Sequence, residues 1–288
     1  MTAMPVIGVV GVGNIGGAVA LRLRDLGYPV AVRDLRPEAE AVCAAAGATV
    51  HATAAALAGH CALVIVAVVD AAQTLDVLFG SDGLVQGLAA GSAVMLCPTI
   101  APQDVEAAAA GLAARGIACL DAPTSGGPAR ARDGTMSLMV ATDDASWARW
   151  QPLLARLATR LFRVGRRPGD GARTKLVNNL LAAINLAGAA EALRLADALG
   201  LDAARTLDVI EMSSGQSWIG SERARRVLAG ERSPRAHMTL LAKDAALALA
   251  AARAVGLTMP VGDEAAEAFA RACREGLAAA DDSALWRG

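Results

Sequence analysis

The sequence predicts an α/β chain in which a doubly wound, mainly parallel sheet is followed by an all-helical region. Through the first 164 residues, short β-branched runs alternate with helical stretches that end at glycines. After that point the apolar residues follow only a helical period. The chain has 288 residues, which is enough for two domains. We therefore expect a sheet domain over residues 1–164 and a helical domain over residues 165–288 that begins with a long interdomain helix.

Strands and helices alternate in the first half of the chain. The predicted strands are Val6–Val10, Val30–Val32, Leu63–Val69, Ala93–Cys97, Ile117–Leu120 and Met136–Val140. The predicted helices between them include Ala18–Leu26, Pro37–Ala46 and Pro102–Ala114. The segment Leu63–Val69 is apolar throughout, as expected for a strand in a sheet that is covered on both faces.

The second half is predicted to be helical throughout. The predicted helices are Thr174–Leu199, Ala203–Met212, Thr239–Val255 and Asp263–Gly276. The first of them is apolar around much of its circumference, so it must be buried on several sides. A domain of this size would cover such a helix poorly by itself, so we expect other subunits to cover part of it.

Composition excludes several classes of partner. A net charge of −1 and an aromatic content of 3% argue against nucleic acid. The longest uninterrupted apolar run, Cys61–Val69, is shorter than the ~18–20 residues of a membrane-spanning helix. Five scattered cysteines and three histidines show no metal-ligand spacing. We expect a cytoplasmic protein with reduced cysteines, no metal and no membrane partner.

A glycine-rich turn follows the first predicted strand. Gly11, Gly13 and Gly16 form G-x-G-x-x-G between a strand and a helix. In this pattern the first glycine makes a tight turn, the second admits a pyrophosphate, and the third allows helix and strand to pack closely. The predicted cofactor-binding residues of the turn are Gly11, Val12, Gly13, Asn14, Ile15 and Gly16.

An acidic residue follows the second predicted strand. Asp34 lies eighteen residues beyond Gly16, where a carboxylate can bind the hydroxyls of an adenosine ribose. FAD and S-adenosylmethionine use related turns, but this order of strand, turn, helix, strand and acid favours a nicotinamide dinucleotide. The carboxylate would repel the 2′-phosphate of NADP, so NAD is expected, although Arg33 and Arg36 flank the position.

Lysine is rare in this chain. Of the 27 basic residues only Lys175 and Lys243 are lysines, and lysine can release a proton where arginine effectively cannot. Lys175 and Asn179 are four residues apart on the long helix and so share a face. An amine and a carboxamide on one face can hold and ionise a hydroxyl. The loop Ser125–Gly127 follows a strand and offers a hydroxyl and backbone N–H groups to a carboxylate.

Three segments besides the glycine turn resemble one family. They are Asp121–Thr135, Gly169–Asn179, and Lys243–Asp244 with Leu247–Ala248. Their order and spacing are similar to those of the β-hydroxyacid dehydrogenases, the group that contains 3-hydroxyisobutyrate dehydrogenase and tartronate semialdehyde reductase. The resemblance covers nearly the whole chain. It implies an N-terminal Rossmann domain and a helical C-terminal domain.

The resemblance also implies roles for particular residues. Lys175 matches the family's catalytic lysine, and Ser125, Gly126 and Asn179 match substrate-binding positions, to which we add Gly127. Further cofactor contacts are implied at Val68, Val69, Gln73, Thr99 and Lys243. Family members pack through their helical domains, which implies a homodimer or homotetramer.

The sequence therefore predicts an enzyme that transfers a hydride between NAD and a short β-hydroxy acid. Segments Val77–Gly80, Pro234–Thr239 and Asp281–Trp286 resemble the threonate dehydrogenase branch, which favours a three- or four-carbon substrate that is hydroxyisobutyrate-, glycerate- or threonate-like. Two alternatives remain open. One is an imine reductase-like enzyme, although that group usually lacks the lysine, and the other is a non-catalytic NAD-binding module. The 6-phosphogluconate dehydrogenases have a much longer helical domain.

Overall fold

The computed structural model describes residues 4–286 and divides into two compact units, Met1–Lys175 and Leu176–Gly288. The first unit combines a sheet with helices on both of its faces, and the second is all-helical over its described residues. The predicted fold class is confirmed.

Nine strands form the sheet of the first unit. They are β1 (Ile7–Val10), β2 (Val30–Arg33), β3 (Thr49–Val50), β4 (Leu63–Val66), β5 (Ala93–Leu96), β6 (Ala118–Asp121), β7 (Thr124–Ser125), β8 (Ser137–Ala141) and β9 (Arg160–Gly165). Six pair in parallel in the order β3-β2-β1-β4-β5-β6. Strand β8 joins β6 in antiparallel fashion and also pairs with β7 and β9. The strand order reverses between β1 and β4, and nucleotides bind beyond the carboxyl ends of the strands at such a point.

The helices of the first unit lie between these strands. They are α1 (Asn14–Asp25), α2 (Pro37–Ala45), α3 (Ala54–Ala58), α4 (Ala71–Phe79), α5 (Pro102–Ala113), α6 (Gly127–Asp133) and α7 (Asp144–Leu157). Consecutive strand residues point to opposite faces, and two separate apolar cores result. Ile7 and Ile65 belong to one core, whereas Val10 and Val64 belong to the other. Both faces of the central strands are therefore buried, as the apolar run at β4 predicted.

A long helix, α8 (Asp170–Ala198), crosses the boundary between the two units. The remaining helices are α9 (Ala203–Glu211), α10 (Trp218–Leu228), α11 (Met238–Ala254) and α12 (Pro260–Ala272). In the second unit, α8 contributes Ala183, Leu186 and Leu193 to the main core, together with Phe269 of α12. A smaller core contains Leu180 of α8.

By length and composition, α8 is also a candidate membrane span. Its most apolar 18-residue window has a mean hydropathy of 1.3. The helix is not an uninterrupted apolar run, because Asn178, Asn179 and Arg194 lie within it. A core helix of a globular domain passes the same test, and α8 supplies central residues of the helical cores, so this finding is weak support for a membrane role.

Several predicted boundaries are wrong by a few residues. The strand predicted to reach Val69 ends at Val66, because the parallel partner β1 also ends there, at the glycine turn. The helix predicted from Ala18 begins at Asn14, inside the glycine motif. Helix α12 ends at Ala272, after which the chain makes a π-helical turn. Helix α10 was not predicted, because its sequence is rich in arginine and lacks a long apolar pattern.

Candidate active site

The three glycines of the turn have different roles in the structure. Gly11 has φ of +84°, and a Cβ there would lie 2.7 Å from the carbonyl oxygen of Ala67. A Cβ on Gly16 would lie 1.9 Å from the carbonyl oxygen of Gly11. A Cβ on Gly13 would instead approach Nη2 of the flexible Arg36 side chain at 3.1 Å. Gly11 and Gly16 therefore allow the turn to fold, whereas Gly13 leaves space above it for a ligand.

Helix α1 begins directly after this turn. Its N-cap residue is Gly13, which has no side chain to cap the first turn. The first N–H groups of a helix lack partners within the helix, and the helix dipole favours an anion at that end. Together with Val12, Asn14 and Ile15, the turn forms a cradle that fits the pyrophosphate of a dinucleotide.

Asp34 lies beside the same turn. Its Oδ2 accepts the backbone N–H of Val12 at 2.7 Å. Its Oδ1 accepts the backbone N–H of Arg36 at 2.9 Å, and the guanidinium of Arg36 lies 3.4 Å away. The carboxylate is thus held at the end of β2 next to the phosphate cradle, where a nucleotide ribose is expected. The Arg36 side chain is 58% exposed. Arg33 is also close, since its guanidinium donates to the backbone oxygen of Asp34 and pairs with Glu40 at 3.1 Å, so both arginines lie where they would favour a 2′-phosphate.

The other predicted cofactor residues of the first unit lie along the same edge of the sheet. Val68 and Val69 lie in the turn between β4 and α4, and the N–H of Val69 donates to Oε1 of Gln73 at 3.1 Å. Thr99 lies in the equivalent turn between β5 and α5. Because β1, β4 and β5 are parallel neighbours, these turns follow the same carboxyl edge as the glycine turn.

The predicted substrate loop joins β7 to α6, and Gly127 is the first residue of that helix. Ser125 ends β7, where it pairs with Ser137 of β8. The next two residues, Gly126 and Gly127, have φ of +124° and +76°, and a Cβ on Gly126 would lie 2.9 Å from Cδ of Arg130. Such a loop presents backbone N–H groups and a hydroxyl together, and concave groups of this kind bind anions such as carboxylates.

Lys175 and Asn179 lie one turn apart on α8. They are 7% and 9% exposed. Lysine is rarely buried in proteins unless it has a partner or a function. The predicted shared face of the helix is therefore present, and it places an amine and a carboxamide side by side, away from bulk solvent.

A hydrogen-bonded chain of polar side chains orients Asn179 in the second unit. Its Nδ2 donates to Oδ2 of Asp244 at 2.6 Å, and its Oδ1 accepts from Nδ2 of Asn178 at 2.9 Å. The other oxygen of Asp244 accepts from Lys243 Nζ at 2.7 Å. Asp244 is 7% exposed and was not among the predicted site residues. The sequence contains a signal for Asp244, because this residue directly follows Lys243 in one of the segments that resemble the family.

A second functional candidate that was not predicted is Asp121. It begins the second family motif, ends β6 and is 1% exposed. Its side chain accepts hydrogen bonds from the backbone at the start of α8, the helix that carries Lys175.

One cavity lies away from these residues. Its volume is about 360 Å³, and its lining includes Val6 and Pro29, which precede β1 and β2, and His51 and His60. It therefore lies towards the amino ends of β1 and β2, whereas nucleotides bind at the carboxyl ends. Within residues 4–286, no group of three or more His, Cys, Asp or Glu side chains is placed to hold a metal ion.

The sheet order, the glycine turn and the carboxylate after β2 define a dinucleotide-binding protein of the Rossmann class. Two family models match the chain. The NAD-binding domain of 6-phosphogluconate dehydrogenase matches residues 6–165, and the NAD-binding domain of NADP-dependent 3-hydroxyisobutyrate dehydrogenase matches residues 169–288. The chain belongs to the β-hydroxyacid dehydrogenase family of NAD(P)-dependent oxidoreductases.

Individual relatives agree with this family. L-threonate dehydrogenase of Cupriavidus necator is 36% identical, over 97% of this chain and 94% of the relative. The crystal structure of 3-hydroxyisobutyrate dehydrogenase from Salmonella typhimurium is 34% identical, with a TM-score of 0.92 over 98% of this chain and 99% of that one. An imine reductase of Streptomyces aurantiacus is 23% identical, with a TM-score of 0.68 over 98% of each chain, which shows a shared fold alone.

Proposed function

We propose that this enzyme interconverts a short β-hydroxy acid and its carbonyl product, with Lys175 as general acid and base. The observation that carries this proposal is the burial of Lys175 one turn before Asn179, in a chain that has only two lysines. Arginine predominates among the basic residues, so a buried lysine at this position points to a chemical property that arginine lacks. That property is the ability to exchange a proton.

Each candidate residue has a role in this scheme. Ser125, Gly126 and Gly127 bind the substrate carboxylate through a hydroxyl and backbone N–H groups. Asn179, oriented by Asp244, holds the substrate hydroxyl. Lys175 accepts the hydroxyl proton during oxidation and donates it during reduction. When bound, NAD supplies a nicotinamide ring that accepts the hydride from the carbinol carbon.

We assign cofactor binding to the cradle described above and propose NAD over NADP. Asp34 supports this preference, because a carboxylate at the end of β2 binds ribose hydroxyls and repels a 2′-phosphate. The further cofactor contacts proposed are Val68, Val69, Gln73, Thr99 and Lys243. The predicted division of labour is part of the same proposal, with cofactor binding in residues 1–164 and substrate binding and assembly in residues 165–288.

The substrate that the sequence favours has three or four carbons and several hydroxyls, like threonate. The support is the resemblance of segments Val77–Gly80, Pro234–Thr239 and Asp281–Trp286 to the threonate branch, and the similarity to a curated L-threonate dehydrogenase. An imine substrate is the second candidate by fold, but nothing in that chemistry requires Lys175. A non-catalytic NAD-binding role would not require a lysine rather than an arginine at position 175.

We also propose a cytoplasmic homo-oligomer that assembles through the helical domain. Helix α8 carries an exposed apolar stripe that includes Val177 (73% exposed), Leu181 (58%) and Leu195 (60%). These residues are spaced at helical repeats and lie on one side of α8. A second copy of the chain would cover this stripe, as expected for a dimer or tetramer.

A substrate panel tests the proposed function directly. Purified enzyme is mixed with hydroxyisobutyrate, glycerate, threonate or serine and oxidised NAD or NADP, or with a cyclic imine and NADH or NADPH. The absorbance of the reduced cofactor is followed as it forms or is consumed. We expect the highest kcat/KM with a three- or four-carbon hydroxy acid and NAD. Turnover of the imine alone would instead support the second candidate. Cofactor binding without turnover of any substrate would support a non-catalytic module.

A further inference from the structure

A carboxylate from the sheet holds the first turn of α8. Asp121 lies at the carboxyl end of β6 and is 1% exposed. Its Oδ2 accepts the backbone N–H groups of Gly169 at 2.8 Å, Gly171 at 2.8 Å and Ala172 at 3.1 Å. The carboxylate and these donors are 48 to 51 residues apart in sequence. One buried oxygen therefore replaces the local side chain that usually caps a helix.

The sequence around the helix start is shaped by this contact. A Cβ on Gly171 would lie 2.8 Å from Cγ and from Oδ1 of Asp121, so any side chain there would displace the carboxylate. Gly169 has φ of +94°, which favours glycine. Gly169 and Gly171, in the segment Gly169–Asn179, therefore allow the backbone to reach Asp121, in the segment Asp121–Thr135. The two segments form one structural device.

This device lies close to the proposed proton-transfer residue. Lys175 is three residues beyond Ala172, which is about 4.5 Å along the axis of an α-helix. A shift of the first turn would therefore move the lysine almost directly. Small misplacements of a reacting group have large effects on rate, since a displacement of about 1 Å can lower it ~10²-fold.

We propose that Asp121 is a positioning residue whose carboxylate fixes the first turn of α8, and with it Lys175, and that protonation of this carboxylate loosens the hold and slows catalysis. The proposal rests on the proposed role of Lys175. A charged acceptor makes hydrogen bonds roughly twice as strong as a neutral one. A neutral Asp121 would keep Oδ2 as an acceptor, but a weaker one.

The electrostatics of Asp121 place this protonation near the physiological range. Burial, with a smaller contribution from the charge of Asp170, raises the pKa of Asp121 to about 6 against the lowering effect of the three N–H hydrogen bonds. Burial and the charge of Asp121 raise the pKa of Cys97 to about 12 and also raise the pKa of Cys119. Both thiols therefore stay neutral near pH 6. Asp170 itself is paired with Arg173 at 3.3 Å.

The direction of the pH effect on kcat follows from this protonation. Above pH of about 6 the carboxylate is charged and the helix start is firmly held. As the pH falls through that value, Asp121 binds a proton and the three hydrogen bonds weaken. In the reduction direction, where Lys175 donates its proton and its protonation does not lower the rate, the kcat of the wild-type enzyme is then expected to fall on the acid side with a midpoint near pH 6. Asp121→Asn has the same shape but no charge, so it mimics the protonated state at every pH.

The first measurement needs no variant and no activity. Amide proton shifts of ¹⁵N-glycine-labelled wild-type enzyme are followed by NMR from pH 4 to 8, about two units to either side of a midpoint near 6. Gly169 and Gly171 are expected to titrate together with a midpoint near 6. Shifts that stay constant over this range would overturn the proposal, whatever the reaction catalysed.

The second measurement compares pH profiles of kcat for the reduction direction. Asp121→Asn is expected to lower kcat at neutral pH by roughly 10-fold or more and to abolish the acid limb, while the Kd for NAD is unchanged. Asp143→Asn is the matched control, because Asp143 accepts the N–H of Ser146 to cap α7, a helix with no site residue. It should keep the wild-type profile.

The two variants separate this proposal from the proposed function. If Asp121→Asn keeps wild-type kcat and the acid limb while Lys175→Arg is inactive, the positioning role is wrong and the role of Lys175 stands. If Lys175→Arg retains wild-type turnover, the proposed function fails. The positioning role fails with it, because glycine amides that titrate would then show only that Asp121 caps the helix.

Discussion

Substitutions in the glycine turn can distinguish an effect on cofactor binding from an effect on stability. Gly13→Ala adds one methyl group at a residue with φ of −68° and ψ of −153°, an extended conformation without the positive φ that disfavours alanine. Apart from its chain neighbours, the heavy atom described within 4 Å of the new Cβ is Nη2 of Arg36, at 3.1 Å. That group is the far end of a flexible, 58% exposed side chain and can move by a few tenths of an ångström. The free energy of unfolding should therefore change by less than about 0.5 kcal/mol.

The same methyl group lies where a pyrophosphate must approach the backbone. Each hydrogen bond from a backbone N–H to a charged group contributes about 1.5–3 kcal/mol. Holding the phosphate one methyl radius further away should remove about one such bond, which corresponds to roughly a 10- to 100-fold weaker Kd for NAD. Gly16→Ala contrasts with this, because its Cβ would lie 1.9 Å from a carbonyl oxygen of the turn. Overpacking of this kind costs about 1–3 kcal/mol or more, so both stability and binding should fall.

The assay pairs chemical unfolding of each variant without cofactor with titration of NADH fluorescence. Gly13→Ala should keep the wild-type midpoint and lose affinity, whereas Gly16→Ala should lose both. If Gly13→Ala binds NADH as tightly as the wild type, the pyrophosphate does not approach Gly13 and the assignment of the cradle is refuted. A loss of stability equal to that of Gly16→Ala would refute the packing argument.

Three further results are expected. Asp34→Ser should narrow the preference for NAD over NADP in kcat/KM, and a tenfold or greater NADP preference in the wild type would contradict the role of Asp34. Asp281→Ala should lower the unfolding free energy by about 3–5 kcal/mol, because it removes a 3% exposed carboxylate that accepts from the 6% exposed Arg226 and from the backbone N–H groups of Arg235 and Ser283. Asp208→Ala at a surface pair should cost less than about 1 kcal/mol. Burial alone would raise the pKa of Asp281, but its hydrogen bonds outweigh this and lower it, so its contribution is present at neutral pH and is lost only as the pH falls below about 3.8. Leu181→Glu should dissociate the oligomer seen by light scattering, and a wild-type mass of 29.1 kDa would show that no oligomer forms.

The sequence predicted the parts of the fold that have a strong local signal. The run at β4 is apolar because both faces of the sheet are covered, and proline marks the first residue of α2 and of α5. Strand β3 has two residues and helix α3 has five, so neither is long enough to show a period. The arginine-rich α10 forms because arginines such as Arg226 are buried against acidic partners, which apolar periodicity does not detect.

In the candidate site, too, some features have a local sequence signal and others do not. Lys175 and Asn179 are four residues apart on a helix, so their common face follows from helical geometry. The contacts of Asp121 with Gly169 and of Asn179 with Asp244 join residues 48 and 65 positions apart. No local pattern specifies such pairings, because they depend on how β6 and α11 pack against α8. The motifs contained these residues, but only the fold shows what the two carboxylates contact.

The proposed mechanism depends on one central claim, that Lys175 exchanges the proton that accompanies hydride transfer. Lys175→Arg keeps the positive charge but removes a group that can release its proton. We predict that kcat for the best substrate of the panel falls by ~10²–10⁴-fold, the usual contribution of a general acid or base. The Kd for NADH and the unfolding midpoint should stay near the wild-type values. Wild-type turnover by this variant, measured as reduced cofactor formed per second, would contradict the central claim.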